Sequence, residues 1–141
     1  YNIPLVIAGG DNSIFKDEGL ASNENIHRAG YVSDEELIEL YKNTRLFVFP
    51  SIYEGFGIPP LEALKLGTPS VVSKTSALPE IYEDSVLYCN PLDIEDIKKK
   101  ILLLWKDGKL RSEYIKKGEK ILKKCSWKNT ANKMLDIINK S

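Results

Sequence analysis

The chain is poor in the residues that carry metal and nucleophilic chemistry. Its 141 residues include two cysteines, one histidine and one methionine. Cys89 and Cys125 are too few and too far apart for a disulfide framework or a metal knuckle. With His27 as the lone histidine, Ser/His/Asp triads and His-ligated zinc have little support. It lies in Ile26-His27-Arg28-Ala29-Gly30, which reads as a short strand where a structural role outweighs catalysis. Twenty basic side chains balance twenty acidic ones, so no large net field draws the chain to nucleic acid. No long apolar span, repeat or low-complexity segment is apparent, and the expectation is a chain without a secretory leader in a reducing, cytoplasmic setting.

What is present alternates between two periodicities. The length suits one domain with one packed core, over residues 1–141. Ile3 to Ala8 is a continuous apolar run that reads as a buried strand, ending in Gly9-Gly10-Asp11. Asp34 to Tyr41 has an acidic first turn with Leu37, Leu40 and Tyr41 on one face, which predicts a helix starting near Ser33 or Asp34. Strands are predicted at Leu46 to Phe49, Ser70 to Ser73 and Val86 to Tyr88, and short helices at Pro59 to Leu66 and Leu78 to Tyr82. From Ile94 the pattern is purely helical, with breaks at Asp107-Gly108 and Cys125-Ser126: Ile94 to Lys106, Leu110 to Lys124, Trp127 to Asn139. Alternation at this spacing implies a parallel sheet with helices on both faces, whose ligands bind at the carboxyl ends of the strands.

One stretch stands out, Pro50-Ser51-Ile52-Tyr53-Glu54-Gly55-Phe56-Gly57-Ile58-Pro59-Pro60-Leu61-Glu62-Ala63. A strand leads into it, two glycines turn it, and prolines open the helix that follows. Such a junction offers free N–H groups and the positive end of a helix dipole, which suits a phosphate. Glu54 and Glu62 would repel the phosphate itself, so they make sense facing hydroxyls on either side of it. A carboxylate accepts two O–H donors at once, as a vicinal diol of a sugar or ribose supplies. The plainer readings are a solvated loop charge for Glu54 and a helix-dipole charge for Glu62. Tyr53, Phe56, Trp105 and Trp127 read as packing residues. The lysines at 98–100, 116–117 and 120–124 read as solvated helix faces, with contact to anionic lipid or a partner as the alternative.

Glu54 to Ala63, followed by Gly67-Thr68-Pro69 and Leu78-Pro79-Glu80, resembles the C-terminal domain of retaining GT-B glycosyltransferases of family 4, the group 1 glycosyl transferases. Gly30-Tyr31-Val32-Ser33-Asp34-Glu35-Glu36-Leu37 and Ser126-Trp127 fit the same pattern. The resemblance implies a Rossmann-like doubly wound parallel sheet, the C-terminal half of a GT-B fold, with C-terminal helices over about 94–140. It implies transfer of a sugar from a nucleoside diphosphate sugar to an acceptor hydroxyl, with retention and without a required metal or other cofactor. By the same resemblance, Glu54 is the catalytic candidate, contacting hydroxyls of the transferred sugar. The amides of Gly55, Phe56 and Gly57, with Ile58 behind them, line the sugar and pyrophosphate, and Glu62 takes the ribose hydroxyls. Val32 and Asp34 meet the base, and Gly10 belongs to the first strand-end turn on the donor side.

The chain also departs from the family. It begins after the family's opening strand, glycine turn, basic pyrophosphate clamp and helix, and the acceptor-binding N-terminal lobe is absent. Ser76-Ala77 stands where Gly-Gly is common. The missing strand is central in this fold, so the expectation is rearranged pairing, self-association or a segment supplied separately. The expected partners are a nucleotide sugar and the missing lobe, with peripheral membrane contact for the complete enzyme and no nucleic acid. Alone, the chain is expected to bind nucleotide weakly and transfer nothing. Two other classes fit the residues: a non-catalytic nucleotide-sugar-binding subunit, and a sugar-nucleotide epimerase on the same fold.

Overall fold

A computed structural model describes residues 2–10 and 24–140, and the chain divides into two compact units, Tyr1–Leu40 and Tyr41–Ser141. In the first, strands β1 (Leu5–Ala8) and β2 (Ile26–Gly30) pair in parallel, Leu5 opposite Ile26, with a register shift between Ile7 and Ala8. Helix α1 (Asp34–Asn43) starts there. Its opening is a reciprocal box: Ser33 N–H donates to the Glu36 carboxylate at 2.8 Å, and Glu36 N–H donates to Ser33 Oγ at 3.3 Å.

The second unit carries β3 (Phe47–Phe49), α2 (Ile58–Lys65), β4 (Ser70–Ser73), α3 (Leu78–Tyr82) and β5 (Leu87–Cys89). Helices α4 (Ile94–Lys106), α5 (Gly108–Lys124) and α6 (Trp127–Ile138) follow. The sheet is all parallel in the order β3-β4-β5. Central β4 is buried throughout, and its successive side chains point to opposite faces. Val72 joins Leu64, Leu78, Tyr82 and Val86 under α2 and α3, whereas Val71 joins Cys89 and Leu104 under α4. Helices therefore cover both faces, as a Rossmann-like α/β sheet requires. On one face α5 approaches α2 closely, because a Cβ on Gly118 would come within 2.9 Å of Leu64.

Local chemistry explains most boundaries. Asp93 caps α4, accepting from Glu95 and Asp96 N–H, and Ser126 caps α6, accepting from Asn129 N–H. Asp107 ends α4 and also caps α5, so the predicted two-residue break shrinks to one residue and Gly108 opens the helix.

Three expectations need correction. The Ile3 to Ala8 run is not buried: Leu5 and Val6 are 45% and 47% exposed, since a two-stranded sheet covers neither face well. Trp127 is 91% exposed rather than packed, because α6 buries none of its residues among those described. Tyr53 is 81% exposed and Phe56 is exposed too, since both lie on a bend that leaves the core. Trp105, by contrast, is partly covered, with the Arg45 guanidinium 4.6 Å above its ring. The described strands form two separate sheets, and β3 pairs only with β4. Asp11 lies outside the described residues.

Candidate functional site

The predicted bend leaves the carboxyl end of β3 and re-enters as α2. Its first glutamate, Glu54, is half-buried, and its N–H donates to Ser76 Oγ at 3.0 Å. Gly55 and Phe56 are exposed, and Gly57 is the buried N-cap of α2 with φ 77°. No side chain caps this helix. Pro59 and Pro60 lack N–H groups, so the donors at this end are the amides of the bend and of Ile58. Among the described residues, the N–H groups of Gly55, Phe56 and Gly57 meet no hydrogen-bond acceptor.

Two tyrosines absent from the sequence-based site brace it. The Tyr82 hydroxyl, fully buried beneath α2, donates to the Gly57 carbonyl oxygen and anchors the bend to the core. The Tyr41 hydroxyl donates to a Glu62 carboxylate oxygen at 3.4 Å. Burial, the Glu62 charge and this hydrogen bond push the Tyr41 phenol up to about 12. Glu62 itself is exposed on α2. Thr68 Oγ1 donates to the Tyr41 carbonyl at 2.5 Å, and Tyr41 meets Phe47 edge-on, which fixes the phenol's position. Tyr41 is visible in the sequence only as part of an apolar helix face, and Tyr82 only as part of a helical turn. No local signal gives either away, because their partners stand 21 and 25 residues distant.

Gly10, Val32 and Asp34 lie in the first unit. Gly10 has φ 82°, Val32 is half-buried, and Asp34 is the exposed first residue of α1. Gly9 N–H donates to the Gly30 carbonyl at 2.7 Å, so the turn holding Gly10 adjoins the Gly30 to Asp34 segment. Among the described residues, no group of three or more His, Cys, Asp or Glu is arranged to hold a metal ion. No helix among them is long and apolar enough to cross a membrane.

Chemically, unpartnered amides at a helix start favour an anion, and flanking carboxylates favour hydroxyl donors. Known proteins resemble this chain in sequence and fold. The model for "Glycosyl transferases group 1" matches residues 1–121. O-antigen chain mannosyltransferase B of Escherichia coli is 40% identical over 111 residues, which is 79% of this chain and 29% of that protein. The C-terminal domain of a group 1 family glycosyl transferase from Francisella tularensis is 27% identical, with a TM-score of 0.64. That match covers 73% of this chain and 54% of the solved one. TarM of S. aureus, crystallised with UDP among its ligands, is 28% identical with a TM-score of 0.69, over 82% of this chain and 24% of that one. The chain thus spans under a third of the length of the mannosyltransferase. On the family match and on this shared parallel α/β frame, the chain belongs to the group 1 glycosyl transferases.

Proposed function

We propose that this chain is the donor-binding portion of a retaining glycosyltransferase that moves a sugar from a nucleoside diphosphate sugar to an acceptor hydroxyl. The observation that carries the reading is the bend itself. Three amides without acceptors stand at the start of α2, with one carboxylate on the bend and a second on the helix. As the sugar–phosphate bond breaks, negative charge gathers on the leaving diphosphate. Fixed amides stabilise that charge without reorganising, and one such donor is worth roughly 10²–10³ in rate. Glu54 holds hydroxyls of the transferred sugar and Glu62 those of the ribose. The family resemblance alone assigns Val32 and Asp34 to the base and Gly10 to the donor, and the reading requires no metal. Mannose is the sugar to try first, because O-antigen chain mannosyltransferase B is named for it.

The acceptor contacts and the basic pyrophosphate clamp belong to polypeptide outside this chain, so the chain alone transfers nothing. Turnover by the isolated polypeptide, with contamination excluded, contradicts that. Among the described residues β3 pairs with β4 alone, and its other edge is expected to be completed by rearranged pairing, by the complete polypeptide or by a second copy. The deciding experiment titrates the full-length protein with UDP, GDP and ADP, then repeats the titration with Glu62→Ala. A charge-assisted hydrogen bond is worth roughly 1.5–3 kcal/mol, so the variant is expected to bind about ten- to a hundred-fold more weakly. If no nucleotide binds, the donor reading fails. If Glu62→Ala leaves affinity within error, the ribose assignment fails.

A further inference from the structure

Backbone pairing between β3 and β4 stops at Phe49 opposite Val72. Pro50 follows and has no N–H with which to extend it. Beyond that point, hydroxyls of the β4 side take over. Ser73 Oγ donates to the Phe49 carbonyl at 3.4 Å, and Thr75 Oγ1 donates to the Ser51 carbonyl at 3.3 Å. Ser76 Oγ then accepts from Glu54 N–H at 3.0 Å. Three side chains thus step outward along the segment, and the shortest contact is the one that reaches the first glutamate. Ser76 adopts φ +46°, a left-handed conformation that residues other than Gly, Asn and Asp seldom take. It is exposed, so core packing does not force that conformation on it.

We propose that Ser76 is a positioning residue for Glu54, its hydroxyl fixing the backbone of the bend so that the Glu54 carboxylate meets the sugar of the donor. The inference rests on the donor-site reading above. A carboxylate that orients a sugar must sit within a fraction of an ångström of its working position, and a mobile bend would spend binding energy on ordering. In this chain a serine hydroxyl secures the bend at a site where the left-handed backbone alone would favour glycine.

The test uses the full-length protein with Ser76→Gly, Ser76→Ala and Ser76→Asn, and Glu54→Ala as reference. Glycine accepts the left-handed backbone without the hydroxyl, so that variant folds. Asparagine tolerates the same backbone and brings a side-chain carbonyl acceptor, so it is the rescue. Amide hydrogen exchange reads the geometry: Glu54 N–H is expected to exchange about ten-fold faster in the glycine and alanine variants and near the parent rate in asparagine. Titration with UDP, GDP and ADP, and with UDP-glucose, GDP-mannose and ADP-glucose, reads its use. The affinity gained through the sugar is expected to fall about five-fold in Ser76→Gly while affinity for the bare nucleotide stays put. Unchanged exchange at Glu54, or equal losses for nucleotide and nucleotide sugar, overturns the role of Ser76. If exchange responds but Glu54→Ala keeps the parent's sugar-dependent gain, the donor reading of Glu54 falls, and the role of Ser76 falls with it. Absence of binding to every probe has the same consequence.

Discussion

Gly57→Ala is the sharpest perturbation of the bend, because two independent costs meet at one atom. Gly57 has φ +77°, and an L-residue in the left-handed region costs roughly 1–2 kcal/mol. A Cβ there would also stand 2.5 Å from Leu78 Cδ2, 3.6 Å from Phe49 and 3.9 Å from Tyr82. Leu78 and Tyr82 are fully buried, so the contact cannot be relieved by swinging a side chain into solvent. Overpacking of that kind costs about 1–3 kcal/mol. Together the two are expected to destabilise the second unit by roughly 2–5 kcal/mol. Gly67 supplies the control, since it has φ +81° and nothing within 4 Å of its would-be Cβ. Gly67→Ala should therefore show the backbone cost alone, roughly 1–2 kcal/mol. Urea unfolding of both variants, compared at equal slope, measures the difference. Equal destabilisation by the two alanines, or a Gly57→Ala protein as stable as the parent, refutes the packing argument. Because Tyr82 bonds the Gly57 carbonyl, the same variant is also expected to lose nucleotide affinity.

Two further predictions concern buried hydroxyls. Burial and neighbouring acids push Tyr41 and Tyr88 up to about 12, against an ordinary 10.0, and burial raises Tyr82 as well. A raised folded pKa favours the neutral phenol, so this stability is complete below the unfolded value and is lost as pH climbs from 10 through the folded value. Alkaline titration of unfolding should begin to fall near pH 9.0, where burial holds the Cys89 thiol neutral, and fall further above pH 10, with a shallower fall above pH 10 in Tyr41→Phe. An equally steep fall in that variant would contradict the assignment. Ser70 Oγ is buried in β4 without a hydrogen-bond partner among the described residues. Ser70→Ala should therefore leave stability unchanged or raise it by about 1 kcal/mol in the same urea assay, and a clear loss would mean the hydroxyl has a partner.

Sequence and structure agree where local rules act and differ where packing decides. Strands and helices were legible wherever local rules act: Ser70–Ser73, Leu78–Tyr82 and Ile94–Lys106 appear as their periodicity predicts. Ser33 is followed three residues later by Glu36, and the reciprocal cap they form completes within one turn. Errors arose where burial depends on what lies across from an element. The Leu5–Ala8 run is apolar enough for a core strand, yet it pairs with one neighbour and stays exposed. Trp127 has the helical spacing of a packing residue, but α6 buries nothing among the residues described.

For the candidate site, the sequence by itself determined the parts list: two glutamates separated by seven residues, glycines between them, and prolines that strip N–H groups from the helix start. That information is local because a bend and a helix start are built from consecutive residues. Tertiary structure alone decided what steadies those parts. Tyr41 reaches Glu62, Tyr82 reaches Gly57 and Ser76 reaches Glu54 across gaps of 21, 25 and 22 residues. Such pairings exist only once parallel strands have brought distant turns to one end of the sheet, and no period in the chain encodes them.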